Sequence, residues 1–346
     1  MIAAEIMARD GLGPCLDHDA PPHRNGSRST RHRLPPALSL DRLLPDMTDL
    51  VLTRDLPAPR RHSLWGDLRQ IAVDELWKYR ELLYELTLRD VRIRYKQAVM
   101  GFAWAILMPA LIVAAGTLVR FAMAYMGGGH VARDVIAGMA VKALPWAFFV
   151  GAIGFATTSL TGNLPLVSKI YFPREVLPLS ATFAQSFDST IGAVTVGIAL
   201  PLLGIHYGLT VLWVPLLAAL IFCVTAGAAL FLGCANLFFR DVKYIVQVML
   251  TFGIFFTPVF FEPRMFGPLG ARLMMLNPLA PLLEGLRLSV VEGHNLLQPL
   301  VIAGKKGPVV TWSPWYLAYG AAWAVLGLLV SVVVFHRTEG KFAEYV

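Results

Sequence analysis

Six stretches of this sequence are long and apolar enough to cross a bilayer, taking about 20 residues as the crossing length. They fall at about residues 101–125, 135–160, 177–204, 210–236, 243–262 and 314–336. In hydrocarbon every backbone polar group must be satisfied within the protein, so runs of this length are predicted as transmembrane helices. The composition agrees: 56% of the 346 residues are hydrophobic and 15% charged, against roughly 25% charged in soluble domains. The net charge of +7 sits on cations beside apolar runs, as at membrane flanks, with no basic patch interleaved with exposed aromatics. Membrane lipids are therefore expected as partners, and nucleic acid is not.

The fifth run is followed by MFGPLGARLMMLNPLAPLLEGLRLSVVEG, which Pro268, Pro278 and Pro281 interrupt. It reads as one or two short re-entrant helices, which survive at membrane depth only when packed against protein. Upstream, residues 1–60 are polar and rich in Pro, Arg and His, so a disordered extension is expected, with Met47 a plausible alternative start. No signal-peptide core is present there. The expected organisation is an extension over 1–60, an amphipathic interface region over 61–100, a transmembrane domain over 101–336 and a tail over 337–346.

Within the interface region, Trp77, Tyr84, Leu88, Val91 and Tyr95 recur at helical spacing. Arg89, Arg92 and Lys96 each follow that stripe by one residue and line a flank about 100° round the helix. Such a basic amphipathic helix is predicted to lie in the membrane interface, its cations toward lipid phosphates or a partner. Cations flank spans one, three, five and six on one side, so both termini are expected to face the cytoplasm. Arg264, Arg272, Arg287, Lys305 and Lys306 in the outer segment run against that bias.

There is no G-x-x-x-x-G-K-[ST] phosphate cradle, no G-x-S-x-G elbow and no H-E-x-x-H ligand spacing. No catalytic residue and no metal site are assigned. Cys15, Cys223 and Cys234 lack paired spacing, and the last two read as small buried hydrophobes. Energy for active transport would then come from a partner or an ion gradient. A gradient-driven carrier usually shows ionisable groups in several spans, and here the membrane charges are few.

Arg120 lies about 28 Å along the first span from Gly101, where snorkelling to the outer interface is expected. Lys142, near the outer start of span two, is expected to snorkel too. Asp188 lies about 17 Å along span three, where a carboxylate costs on the order of 3 kcal/mol. It is predicted to face the bundle interior with Arg120 or Lys142 as partner, either as a structural contact or as part of a transport path. Phe102, Trp104, Trp146, Phe149 and Phe256 belong to an aromatic set near span ends. Two readings stand: an interfacial belt, or inward faces on which sugar rings stack.

Between spans two and three, GNLPLVSKIYFPREVLPLS places Asn163, Lys169, Arg174 and Glu175 among three prolines. Pro165 and Pro173 are expected to bracket a short cytoplasmic helix. This connector and five other stretches carry a resemblance. They are LRDVRIRYKQAVMGFAWAILMPA, AGMAVKALPWAFFVGAIGFATTSLTGN, FFRDVKYIVQVMLTFGIFFTPVFF, LNPLAPLLEGLRLSVVEG and FHRTEGKFAEYV. In this order the chain resembles the permease subunits of ABC-2 type polysaccharide exporters, from about residue 74 to the C-terminus.

That resemblance implies an all-α membrane protein with six transmembrane helices, an interface helix over Glu75–Gln97 and outer gate helices over Arg264–Gly293. It implies a homodimer with two copies of a separate ABC ATPase, which would bind ATP and magnesium, leaving this chain without a cofactor. It implies export of an undecaprenyl-linked polysaccharide, O-antigen first, across the bacterial inner membrane. It also implies an ATPase-coupling segment including Asn163, Leu164, Leu166, Lys169, Pro173, Arg174 and Glu175, and a gate including Asn277, Pro278 and Arg287. Phe102, Trp104, Trp146, Phe149, Asp188 and Phe256 become candidates for the transport path. Residues 1–60 and the charge of Lys142 depart from the family's pattern. Capsular, teichoic-acid, and lipo-oligosaccharide or drug exporters are the alternatives. A polyprenyl-phosphate sugar transferase is more remote, because Asp188 and Asp241 lack acidic companions for magnesium.

Overall fold

The computed structural model describes residues 78–96, 103–126, 130–164, 172–304, 307–340 and 342. The expected extension over 1–60, together with Leu166, Lys169 and Phe102, lies outside the described residues. The short helix expected between Pro165 and Pro173 falls on residues outside those described. The first helices are α1 (Arg80–Lys96), α2 (Ala103–Met126), α3 (Arg133–Gly162), α4 (Val176–Leu202), α5 (Trp213–Phe238) and α6 (Val242–Gly253). Two shorter helices follow, α7 (Gly267–Met275) and α8 (Leu279–Val290), then strands β1 (Leu300–Gly304) and β2 (Gly307–Trp312), then α9 (Pro314–Glu339).

Four of these are long and apolar enough to cross a membrane: α2, α3, α5 with its 3-10 lead-in from Leu209, and α9. α4 is as long, at 27 residues, but Gln185, Ser186, Asp188, Ser189 and Thr190 interrupt its apolar run. The fifth predicted span is shorter than expected. α6 has 12 residues and ends in one 3-10 turn over Ile254–Phe256. Thr257 then turns extended, at φ −115° and ψ 150°, as a residue before proline is driven to do by Pro258.

The layers follow from burial. α3 is the central helix, with Ala137, Val141, Ala152, Ile153, Ala156 and Leu160 buried along its length. α5 lies against both α3 and α9. A Cβ on Gly227 would come within 3.0 Å of the Leu328 backbone, the close approach that small residues permit between membrane helices. One end of the bundle packs Leu86, Leu160, Val176, Leu177, Leu237 and Phe335 together. The other end packs α3, α4 and α5 around α8 and Trp312.

The segment after α6 forms two short helices, as its prolines suggest, and all twelve residues of α8 are buried. The hairpin of β1 and β2 departs from the all-helical expectation. Its strands pair antiparallel, with Val301 opposite Val310, and Trp312 fixes it by donating from Nε1 to the Leu296 carbonyl at 2.8 Å.

Candidate functional site

α2, α3, α4, α6 and the end of α1 line an open cavity of about 1080 Å³, as large as the biggest small-molecule pockets. Its walls are mainly apolar, and they bring together three of the predicted path residues, Trp104, Trp146 and Asp188. Phe149 sits behind the wall, its ring centroid 5.8 Å from that of Trp146. Phe256, 73% exposed, is not among its lining residues.

Asp188 is not partnered by Arg120 or Lys142. Arg94 donates from Nη1 to Asp188 Oδ2 at 2.6 Å and to Gln185 Oε1 at 2.8 Å, and Tyr95 donates its hydroxyl to Asp188 Oδ1. The cause is the course of α1, which packs along α4. Ser180 donates to Asp90 at 3.2 Å, a turn before Arg94, so the contacts advance together along both helices. The Arg94 guanidinium also lies 4.0 Å from the Phe155 ring centroid, a cation–π contact. Burial and then the Asp188 carboxylate raise the Tyr95 phenol above its usual range, keeping it a proton donor.

The face that α1 packs is also rotated from the predicted stripe. Leu82, Leu83 and Leu86 enter the core, while Tyr84 is 62% exposed. Apolar residues occupy more than one side of this helix, and the polar pairs of Asp90 and Arg94 select among them. Arg92 and Lys96 remain exposed, and Arg89 pairs with Asp90 at 2.9 Å.

A second ionic cluster lies at the opposite end. Arg287 Nε and Nη2 donate to Glu284 Oε1 at 2.9 and 2.6 Å, and Nη1 donates to Glu292 at 2.6 Å. Lys142 does not snorkel. Only 1% exposed, it places Nζ 3.6 Å from Glu284 Oε2. Arg120, its side chain 14% exposed, donates from Nε to the Phe260 carbonyl at 3.1 Å and has Glu262 at 3.8 Å. Carboxylates of the segment after α6 pair with both cations, since a buried charge must be paired. Asn277 accepts at Oδ1 from the Leu279 amide at 3.1 Å, and Pro278 follows it at the head of α8, where a proline costs no hydrogen bond.

At the end of the bundle that carries the connector, Asn163 ends α3 and donates from Nδ2 to the Ser159 carbonyl at 2.8 Å, and Leu164 packs on the adjacent core. Pro173 is buried. Arg174 donates from its amide to Glu339 Oε1 at 3.3 Å and from Nη1 to the Glu339 carbonyl at 2.9 Å. Glu175 is 2% exposed, with His336 Nδ1 at 3.7 Å. These two charges therefore tie the connector to the end of α9.

Arg94, Gln185, Glu262 and Glu284 were not among the predicted site residues. A signal was present for Glu284, whose spacing of three from Arg287 favours a pair on one helical face. The contact between Arg94 and Asp188 spans 94 positions, and no local pattern encodes it.

Residues 81–291 match the ABC-2 type transporter family. The chain is similar to the O-antigen export system permease protein RfbA of Myxococcus xanthus, 27% identical over 252 residues, covering 70% of this chain and 92% of that protein. It is similar as well to two proteins of that name from Klebsiella pneumoniae. One is 23% identical and the other 24%, each over 265 residues that cover 76% of this chain and 94% of the relative.

Proposed function

This chain belongs to the ABC-2 type transporter family, and we propose that it is the membrane permease of an ATP-driven exporter of lipid-linked polysaccharide, O-antigen in the first instance. Two copies would pair with two ATPase subunits in the bacterial inner membrane, both termini cytoplasmic. The polyprenyl-diphosphate carrier would stay with the lipid while the glycan passes between the protomers. ATP and magnesium would bind on the ATPase.

The observation that carries this reading is the cavity beside α2, α3 and α4. Trp104 and Trp146 supply flat apolar surfaces for sugar rings, while Arg94, Gln185 and Asp188 supply hydrogen bonds at one edge. Low-specificity contacts of this kind suit a polymer that must slide past. The connector before α4 would receive the ATPase. Because Arg174 grips Glu339, displacement of the connector would reach α4 through the chain and α9 through that contact.

Removing the gene for this chain tests the reading: surface polysaccharide should be lost and its lipid-linked precursor should accumulate inside. Unchanged surface polysaccharide would overturn it. Coupling has its own test. Replacing Pro173 and Arg174 by alanine should separate ATP hydrolysis from export while the complex still assembles, and unaltered export would reject the assignment.

A further inference from the structure

α3 presents Gly138 and Lys142, one turn apart, to α8. A Cβ on Gly138 would come within 3.0 Å of Arg287 Cδ and 3.2 Å of Cγ, so the arginine stem passes over a helix surface left bare for it. Lys142 then faces Glu284. The two contacts of Glu284 differ in kind. Arg287 lies on the same helix and binds Oε1 at 2.6 Å, so this pair moves with α8. Lys142 lies on α3 and reaches Oε2 at 3.6 Å, too far for a hydrogen bond, and Oε2 has none. A displacement of α8 would break the second contact and keep the first. Glu284 would retain a counter-charge throughout, and only the lysine would have to be rehydrated.

We propose that Lys142 is a positioning residue for the outer gate: its ammonium holds α8 against α3 through Glu284, and this contact is the one released when α8 moves. The proposal rests on the exporter reading for its meaning, but its geometry stands without it. A like contact from Arg120 on α2 to Glu262 at 3.8 Å ties down the segment leading into α7.

The test uses the full chain with its ATPase in membranes, with Cys15, Cys223 and Cys234 replaced by serine. Ser289→Cys on α8 is the reporter, because Ser289 is 0% exposed and the change is nearly isosteric. A membrane-impermeant maleimide is added from the outer side. Labelling should be slow with Lys142 present and at least about tenfold faster in Lys142→Met, while Lys142→Arg stays slow, a charge-dependent rescue that general loosening would not produce. Lys142→Gln serves if the Met variant does not accumulate, and it too should label fast. Equal rates in the Lys and the Met or Gln forms, or fast labelling in Lys142→Arg, would overturn the proposal. Glycan export by the unsubstituted complex is scored separately. Its absence would sink the exporter reading and leave the labelling comparison standing.

Discussion

Asp188 and Glu284 are both carboxylates held by arginine in a helical membrane protein, yet their surroundings differ. The Asp188 and Arg94 side chains keep 14% and 18% exposure and border the large cavity. Those of Glu284, Lys142 and Arg287 keep 0%, 2% and 4% and border packed helix. A pair that retains some solvent can exchange partners cheaply. A pair that retains almost none is costly to break, because the surviving charge stays buried. The first arrangement suits a surface along which a substrate moves, and the second suits an element that holds one of two positions.

Glu284→Ala should break this contrast most severely. It strands Lys142 and leaves Arg287 with Glu292 alone, at a cost of about 3–5 kcal/mol, read as a large fall in the melting temperature of the detergent-solubilised protein. Asp188→Asn comes next, at about 1–3 kcal/mol. Asparagine keeps one acceptor oxygen, enough for Arg94 or Tyr95 but not both, and protein levels should hold while export falls. Gly138→Ala sharpens the comparison from the other side. Its methyl meets the Arg287 stem, an overpacking of about 1–2 kcal/mol, visible as a modest melting shift with the charges intact. Arg92→Ala with Lys96→Ala should be the mildest, within about 0.5 kcal/mol in stability. Weakened affinity of an isolated α1 peptide for vesicles rich in anionic lipid would be its readout.

Length and apolarity were enough to locate α2, α3, α5 and α9, because a bilayer leaves a long apolar run few alternatives. The broken segment after α6 was equally legible, since Pro268, Pro278 and Pro281 limit how far any helix there can run. The hairpin was missed although its signal was present: LVIAG and GPVVTW are β-branched runs around GKKG. α6 ended early because Thr257-Pro258 outweighed the apolar residues after it. Pairing was the least legible layer. Asp188 stood out as needing a counter-charge, with Arg120 and Lys142 as candidates, but the sequence offers every charge as a candidate and fixes none of the distances. The path candidates fared unevenly for the same reason, since Trp104 and Trp146 share a wall through packing that aromatic content does not specify.

The complete burial of α8 bears on the order in which the chain is assembled. Its walls include α3 and α5, made before it, and α9, made after it. Leu282 lies within 3.0 Å of where a Cβ on Gly320 would sit, so that third wall is in close contact. At roughly 5–20 residues per second of synthesis, α8 therefore waits on the order of seconds with one side uncovered. During that interval it needs a temporary neighbour, from lipid or from the insertion machinery. A chain stopped before Pro314 would never cover it.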